Sequence, residues 1–229
     1  MPTRPKNSIA KRLNAAQLAI DNSLADAEIQ ARVAEYGYTA AKLTAGKALY
    51  TAALNAVSNA QATAGAQQQS TAQVQSTKQI AQDAYQALAK VCRACFSDEP
   101  ARLTALQLDG RTPRTTGAFL TTATILFDNA LGIPEIQTAL AEYGYTAQKL
   151  QTECAKISSY NQANQAQEAA KGAAQQATVL QDAALAEMDA WTARYLKIAK
   201  VALRDDCQLL EKLGVLSRSS KTRLNAPPK

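Results

Sequence analysis

Apolar residues recur along much of the chain at alternating steps of three and four positions. In the first half, one such series runs from Ile29 to Val57. This spacing is typical of a helix that packs along a left-handed bundle. No segment alternates with period two, and β-branched residues do not cluster as strands require. The pattern therefore predicts an all-α fold.

The same pattern returns later in the chain without a gap. The segment Ala34–Ala40, Ala-Glu-Tyr-Gly-Tyr-Thr-Ala, recurs unchanged as Ala141–Ala147, and we call any two positions related by this shift (141 − 34 = 107) equivalent. We interpret the chain as a tandem duplication whose two repeats share one core, because aromatic residues make up only 5% of it and small domains bury little apolar surface alone. The predicted divisions are repeat 1 at 9–116, repeat 2 at 117–223, and disordered tails at 1–8 and 224–229.

Each repeat begins with a short helix, predicted over 9–23 and 117–130, and continues into a long helix. Asp26 is the expected N-cap of the first long helix, and Pro134 occupies the first helical position of the second. The repeated glycines Gly65 and Gly172 then leave two alternatives. The favoured one is a chain reversal at each glycine, and the other is a continuous helix of roughly 70 residues, about 105 Å long.

The favoured alternative predicts an elongated antiparallel four-helix, coiled-coil-like bundle. It consists of two tandem helical hairpins with short accessory helices at the ends. Continuous helices would instead leave part of the apolar stripe exposed and would favour a homodimer.

The net charge of +6 belongs to the two ends of the chain. Removing the eight basic residues at the ends leaves a charge of −2 for the body (6 − 8 = −2). Nucleic-acid or anionic-membrane binding through these tails is therefore the alternative function. The candidate contacts are Arg4, Lys6, Lys11, Arg12, Arg218, Lys221, Arg223 and Lys229.

Candidate chemistry is sparse. The chain has no histidine, which excludes histidine-based metal sites and Ser-His-Asp triads. The Cys92-x-x-Cys95 pair lies near the end of a predicted helix, where the dipole does not favour a thiolate, so we interpret both cysteines as structural. We predict no catalytic, cofactor-binding or metal-binding residue, no enzymatic activity and no small-molecule substrate. Four cysteines and the lack of a signal peptide or spanning segment indicate a cytoplasmic protein.

The repeated Tyr-Gly-Tyr segment is the strongest local motif, and two interpretations remain open. A glycine within a helix costs about 1 kcal/mol relative to alanine, so its repetition indicates either a close helix contact or a small pocket between the tyrosines. The candidate residues are Tyr36, Gly37, Tyr38, Tyr143, Gly144 and Tyr145.

The repeated Tyr-Gly-Tyr-Thr motif is followed by Lys-Leu, and the second repeat ends in Lys-x-x-Lys-Val-Ala-Leu-Arg-Asp-Asp over Lys197–Asp206. These features resemble a group of uncharacterised bacterial helical proteins built from tandem repeats. The resemblance covers most of both repeats and implies an architecture without an activity. The leading hypothesis is a non-enzymatic helical scaffold or interaction module with an unknown protein partner. Its expected surface is the Gln/Asn/Ala-rich stretches around 58–82 and 161–182.

Overall fold

The computed structural model describes residues 8–215, and this part of the chain contains eight α-helices and no β-strand. The predicted all-α fold is therefore confirmed. The helices are α1 (Ile9–Ala25), α2 (Ala27–Ala34), α3 (Ala40–Cys95), α4 (Pro100–Ala105), α5 (Thr116–Gly132), α6 (Pro134–Glu142), α7 (Ala147–Ala202) and α8 (Cys207–Lys212).

Local chemistry accounts for the helix starts. The Asp26 carboxylate accepts hydrogen bonds from the backbone N–H groups of Glu28 and Ile29, and Pro134 lies in the first turn of α6. Both predicted start signals are confirmed. The helices that they begin, α2 and α6, nevertheless end after two turns, and the long helices start only at Ala40 and Ala147. The predicted long helix from residue 27 is therefore wrong.

The predicted chain reversals at Gly65 and Gly172 are also wrong. Both glycines lie inside 56-residue helices, so neither repeat forms a helical hairpin at these points. A glycine ends a helix when its backbone adopts a positive φ. Among residues 8–215, the glycines with positive φ are Gly37, Gly144 and Gly214. Gly65 and Gly172 instead continue the helix at a cost of about 1 kcal/mol each relative to alanine.

The described chain divides into two compact units, and each unit combines segments from both halves of the sequence. Unit 1 comprises residues 8–62 and 175–215, and unit 2 comprises residues 63–174. Helices α3 and α7 each contribute one part to unit 1 and the other part to unit 2. The division into repeats at 9–116 and 117–223 remains a prediction from the sequence.

Each unit contains its own cluster of buried apolar side chains, instead of the one shared core expected from the sequence. In unit 1, helix α1 packs on α2 and α8. In unit 2, α5 packs on α6 in the same way. The largest fully buried side chains are Ile20, Ile29, Leu43 and Tyr195 in unit 1, and Tyr85, Leu88, Phe96, Leu106, Leu126, Phe127, Ile136 and Tyr160 in unit 2.

Two side-chain amides hold equivalent turns in the two units. The Asn22 amide donates to the backbone carbonyl of Lys212 at 2.5 Å, and Asn129 donates to that of Ala105 at 2.7 Å. Asn22 and Asn129 occupy equivalent positions, and so do the two acceptors. The repeated asparagine therefore caps the carboxyl end of a short helix in each unit.

Candidate functional sites at the two Tyr-Gly-Tyr-Thr corners

The Tyr-Gly-Tyr-Thr motif forms the corner between a two-turn helix and a long helix. In unit 1, Gly37 has φ +81°, its N–H donates to the carbonyl of Ala34 at 2.9 Å, and the N–H of Tyr38 donates to that of Val33 at 3.0 Å. This bonding is that of a Schellman cap, in which a residue with positive φ ends the helix. The corner of unit 2 has the same backbone bonds around Gly144, whose φ is +78°.

The glycines are thus required by backbone conformation and not by a neighbouring helix. A Cβ atom added at Gly37 or at Gly144 would meet no atom of residues 8–215 within 4 Å. Within this part of the chain, the predicted close helix contact is therefore absent at both positions. The sequence pattern predicted that these glycines lie within a long helix, whereas each lies just beyond the end of a short one.

The threonine of the motif begins the long helix. In unit 1 the backbone carbonyl of Thr39 accepts from Leu43, and in unit 2 that of Thr146 accepts from Leu150. The Thr146 hydroxyl also accepts from the N–H of Lys149 at 3.3 Å, as an N-cap does. The motif therefore ends the short helix with its glycine and begins the long helix with its threonine.

In each corner one tyrosine is buried and the other is exposed. Tyr38 and Tyr145 are buried, whereas Tyr36 is 45% exposed and Tyr143 is 58% exposed. Tyr36 and Tyr38 belong to unit 1, and Tyr143 and Tyr145 belong to unit 2. The second tyrosine of each motif is therefore a core residue, and the first lies at the surface.

In unit 1, Tyr38 joins an aromatic cluster with Trp191 and Tyr195. The Tyr38 ring lies 5.8 Å from that of Trp191 and 5.0 Å from that of Tyr195, and the Trp191 and Tyr195 rings stack at 5.3 Å. Trp191 packs over Gly46, where an added Cβ would overlap its ring. No pattern in the sequence predicted this contact between residues so far apart in the chain.

The Tyr195 hydroxyl is buried with that of Ser23, with which it shares a hydrogen bond. The Ser23 hydroxyl also lies within hydrogen-bonding distance of the Ala19 carbonyl, at 2.6 Å. Burial raises the pKa of Tyr195, while the bond to Ser23 opposes that shift. This polar pair is satisfied internally and functions as part of the core.

In unit 2, Tyr145 is covered by a lysine instead of by other aromatic rings. The Lys149 ammonium lies 4.0 Å from the ring centroid, within the range of a cation–π contact. Burial raises the pKa of Tyr145, with smaller contributions from Glu153 and Cys92. Lys42 lies over Tyr38 at 4.2 Å in the same way. The repeated Lys-Leu that follows the motif thus supplies a cap for the buried ring.

The exposed Tyr143 lines an open hollow of about 560 Å³ on the surface of unit 2. Helix α6 forms one side of this hollow, and the end of α3 with the start of α4 forms the other. Three carboxylates and one guanidinium line it. The lining residues are Cys95, Phe96, Glu99, Arg102, Pro134, Glu135, Thr138, Ala139, Glu142 and Tyr143.

The cysteines of unit 2 have the character of core residues. Cys92 is fully buried, and burial raises its pKa to about 12. Burial, together with Glu142 and Glu99, also raises the pKa of Cys95, and burial together with Asp128 raises that of Cys154. A thiol with a raised pKa has little thiolate at neutral pH and is a poor nucleophile.

Six of the eight predicted basic contacts lie outside the described residues. These six are Arg4, Lys6, Arg218, Lys221, Arg223 and Lys229. Lys11 is exposed on α1. The Arg12 guanidinium lies 2.7 Å from the Asp189 carboxylate, so its charge is already partly compensated. Ser8, predicted to lie in a disordered tail, instead caps α1 by accepting from Lys11. Binding through the tails remains a prediction.

Within residues 8–215, no helix combines the length and hydropathy needed to cross a bilayer. No three Cys, Asp or Glu side chains in this part of the chain are grouped as metal ligands. Compared with known proteins, the chain matches no family model, no curated protein and no solved structure. The surfaces must therefore be interpreted from their own chemistry.

Proposed function

We propose that the protein is a non-enzymatic helical interaction module that recognises a protein partner through uncharged surfaces of its two long helices. The observation that carries this proposal is an unbroken run without a charged residue, 48–77, in α3. Depletion of charge is the compositional signal of the buried centre of a protein–protein interface.

Helix α7 has a matching composition. Residues 157–167 and 172–181 carry no charge, and the acid and base between them, Glu168 and Lys171, form an ion pair at 2.7 Å. Amide side chains can both donate and accept hydrogen bonds, so they suit a partner helix of similar composition. Many glutamines in these stretches are exposed, including Gln68, Gln69, Gln162, Gln165, Gln175 and Gln176.

Large apolar side chains are exposed in or next to the same stretches. In unit 1, Val179 is 63% exposed and Leu180 is 52% exposed on α7, and Leu54 is exposed on α3. In unit 2, Ile80 is exposed on α3. Exposed apolar side chains surrounded by uncharged polar ones are typical of a docking surface. A partner can bury such a surface without removing a charged group from water.

We also propose an architecture for the two units and a cytoplasmic location for the protein. Each unit would be a small helical bundle, and the two would derive from one duplicated sequence. Support comes from the helix bounds, since α3 and α7 have the same length and begin at the equivalent residues Ala40 and Ala147. A reducing cytoplasm would suit a chain with only four cysteines.

Site-specific photo-crosslinking in the producing cell would test the proposal. A benzophenone amino acid at Val179 or Gln69 should form a discrete adduct with one protein. The matched control is the same amino acid at Lys90, an exposed position in the charged part of α3. Adducts that are absent, or that are equally abundant at Lys90, would contradict the proposal. An adduct of twice the chain mass would make the partner a second copy, the predicted homodimer.

A further inference from the structure

The hollow on unit 2 combines three carboxylates with an exposed aromatic ring. Arg102 is its one guanidinium, and it is engaged already, because it lies 2.8 Å from Glu99 and covers the Phe96 ring at 5.3 Å. Within residues 8–215, Glu135 and Glu142 have no ion-pair partner. They lie two helical turns apart on α6 and therefore along the same side of the helix.

The equivalent part of unit 1 shows what a carboxylate at this position binds. Glu28 is the equivalent of Glu135, and its carboxylate binds the Arg32 guanidinium at 2.5 Å. The residue that corresponds to Arg32 in unit 2 is Ala139, which lines the hollow. Unit 2 therefore keeps the carboxylate and the helix and lacks the guanidinium.

Glu142 adds a second reason to expect an external cation. It is the last residue of α6, where the partial negative charge of the helix end disfavours a carboxylate. Glu135, in the first turn, has a local benefit from the same dipole, so Glu142 is the less compensated of the two. A cation placed between them would neutralise both carboxylates.

We propose that this hollow binds an arginine side chain of a basic segment in a partner protein. Glu135 and Glu142 accept hydrogen bonds from the guanidinium, and the exposed ring of Tyr143 lies against its face. Arginine suits the site better than lysine because its planar fork can bond carboxylates and stack on a ring at once. The site does not depend on the uncharged surfaces of the long helices.

Fluorescence anisotropy with the full chain would test this inference. The probe is a labelled octapeptide of alternating arginine and glycine, and its control carries citrulline, the uncharged analogue, in place of arginine. We expect the arginine peptide to bind at least about tenfold more tightly than the citrulline peptide. The double variant Glu135→Gln/Glu142→Gln should weaken binding by a similar factor, and Tyr143→Leu should weaken it less.

The matched control is Glu28→Gln/Glu35→Gln, which removes the same charges from the equivalent positions of unit 1 and should leave binding unchanged. Equal loss in both double variants would overturn the proposal, because it would show attraction by net charge alone. So would equal binding of the two peptides, or no binding.

The chain's own basic segment is the other occupant to consider. If the arginine peptide bound only after Arg218, Lys221, Arg223 and Lys229 were changed to glutamine, that segment would already fill the hollow. This result would overturn the assignment to a partner protein.

Discussion

Units 1 and 2 have equivalent helix ends and differently filled cores. In unit 1 the aromatic cluster joins Tyr38, Trp191 and Tyr195 and packs over Gly46. In unit 2 it joins Tyr85, Phe119 and Tyr160, with ring centroids 5.4 Å and 6.2 Å apart. The two clusters do not use equivalent positions of the sequence.

Pairs of equivalent residues show that the bulky side chains occupy different positions in the two units. Where unit 2 has Phe119, Tyr160 and Tyr85, unit 1 has Arg12, Ala53 and Thr192. Where unit 1 has Trp191 and Gly46, unit 2 has Ala84 and Glu153. A core needs its total volume filled at high density, and this volume can come from either side of a helix pair.

Among the equivalent positions that carry the same residue in both units are those that fix the backbone conformation at the helix ends. The motif glycines and the threonines that begin the long helices have the same backbone hydrogen bonds in both units, and the capping asparagines donate to equivalent carbonyls. A backbone conformation with positive φ, or an unpaired helix-end carbonyl, accepts few residue types. The two units can therefore have equivalent helix ends and different core packing.

Replacing Trp191 by alanine should produce the largest change, because it empties the centre of the unit 1 cluster. We expect a loss of about 3–5 kcal/mol in the free energy of unfolding, measured by urea denaturation with circular dichroism. Gly46→Ala should also destabilise the chain, because its Cβ would overlap the Trp191 ring.

The double variant Gly46→Ala/Trp191→Ala tests whether these two residues are coupled. Its loss should be smaller than the sum of the single losses, because the alanine methyl enters space that the ring has left. Additive losses would show that Gly46 does not accommodate Trp191.

Replacing either motif glycine by alanine should cost less, and about the same in both units. We expect a loss of about 1–2 kcal/mol for Gly37→Ala and for Gly144→Ala, since an L-residue is strained at positive φ. Gly65→Ala is the control, and it should stabilise the chain by about 1 kcal/mol, because this helical glycine has open space around it. Losses that differ strongly between Gly37 and Gly144 would break the equivalence of the two corners.

The smallest predicted effect is a pH dependence specific to unit 1. The bond from Lys212, at 2.8 Å, and the backbone N–H of Ile29 lower the pKa of Asp26 below its usual 3.8. Unit 2 has Ile133 and Ala105 at the corresponding positions. Because the folded-state pKa is lowered, the stabilisation is present above pH 3.8 and is lost as the pH falls through the lowered value.

Comparing the thermal midpoint of the wild type with that of Asp26→Asn would measure this contribution. The two midpoints should differ at neutral pH and converge in acid. In strong alkali the difference should narrow without vanishing, because the same bond raises the pKa of Lys212 above 10.5 and the pair is lost as that group deprotonates, whereas the Asp26 carboxylate still caps α2. A difference that is constant across the whole pH range would exclude the ion pair as its cause.

Local signals in the sequence predicted several features correctly. The all-α fold, the Asp26 cap, the Pro134 start and the core position of Cys92 follow from periodicity and capping preferences, and the structure confirms them. The Tyr-Gly-Tyr-Thr motif was detected but misread, because the stripe of apolar residues continues across the corner with its helical spacing. Positive φ at the glycine was the missing information.

Contacts between residues distant in sequence could not be predicted in this way. The reversal expected at Gly65 failed because glycine permits a helix end without requiring one, and the surrounding alanines and glutamines favour continuation. The contact of Trp191 with Gly46, and the hollow that Glu142 and Arg102 both line, depend on which helices become neighbours.

The helical fold, the repeated segments and the starts of α2 and α6 follow from residues within a few positions of one another or from direct comparison of the two halves of the sequence. The combination of both halves in each compact unit, and the formation of two cores, depend on the tertiary structure. Packing partners are chosen by long-range burial and shape, and these depend on side chains that sequence separation does not bring together.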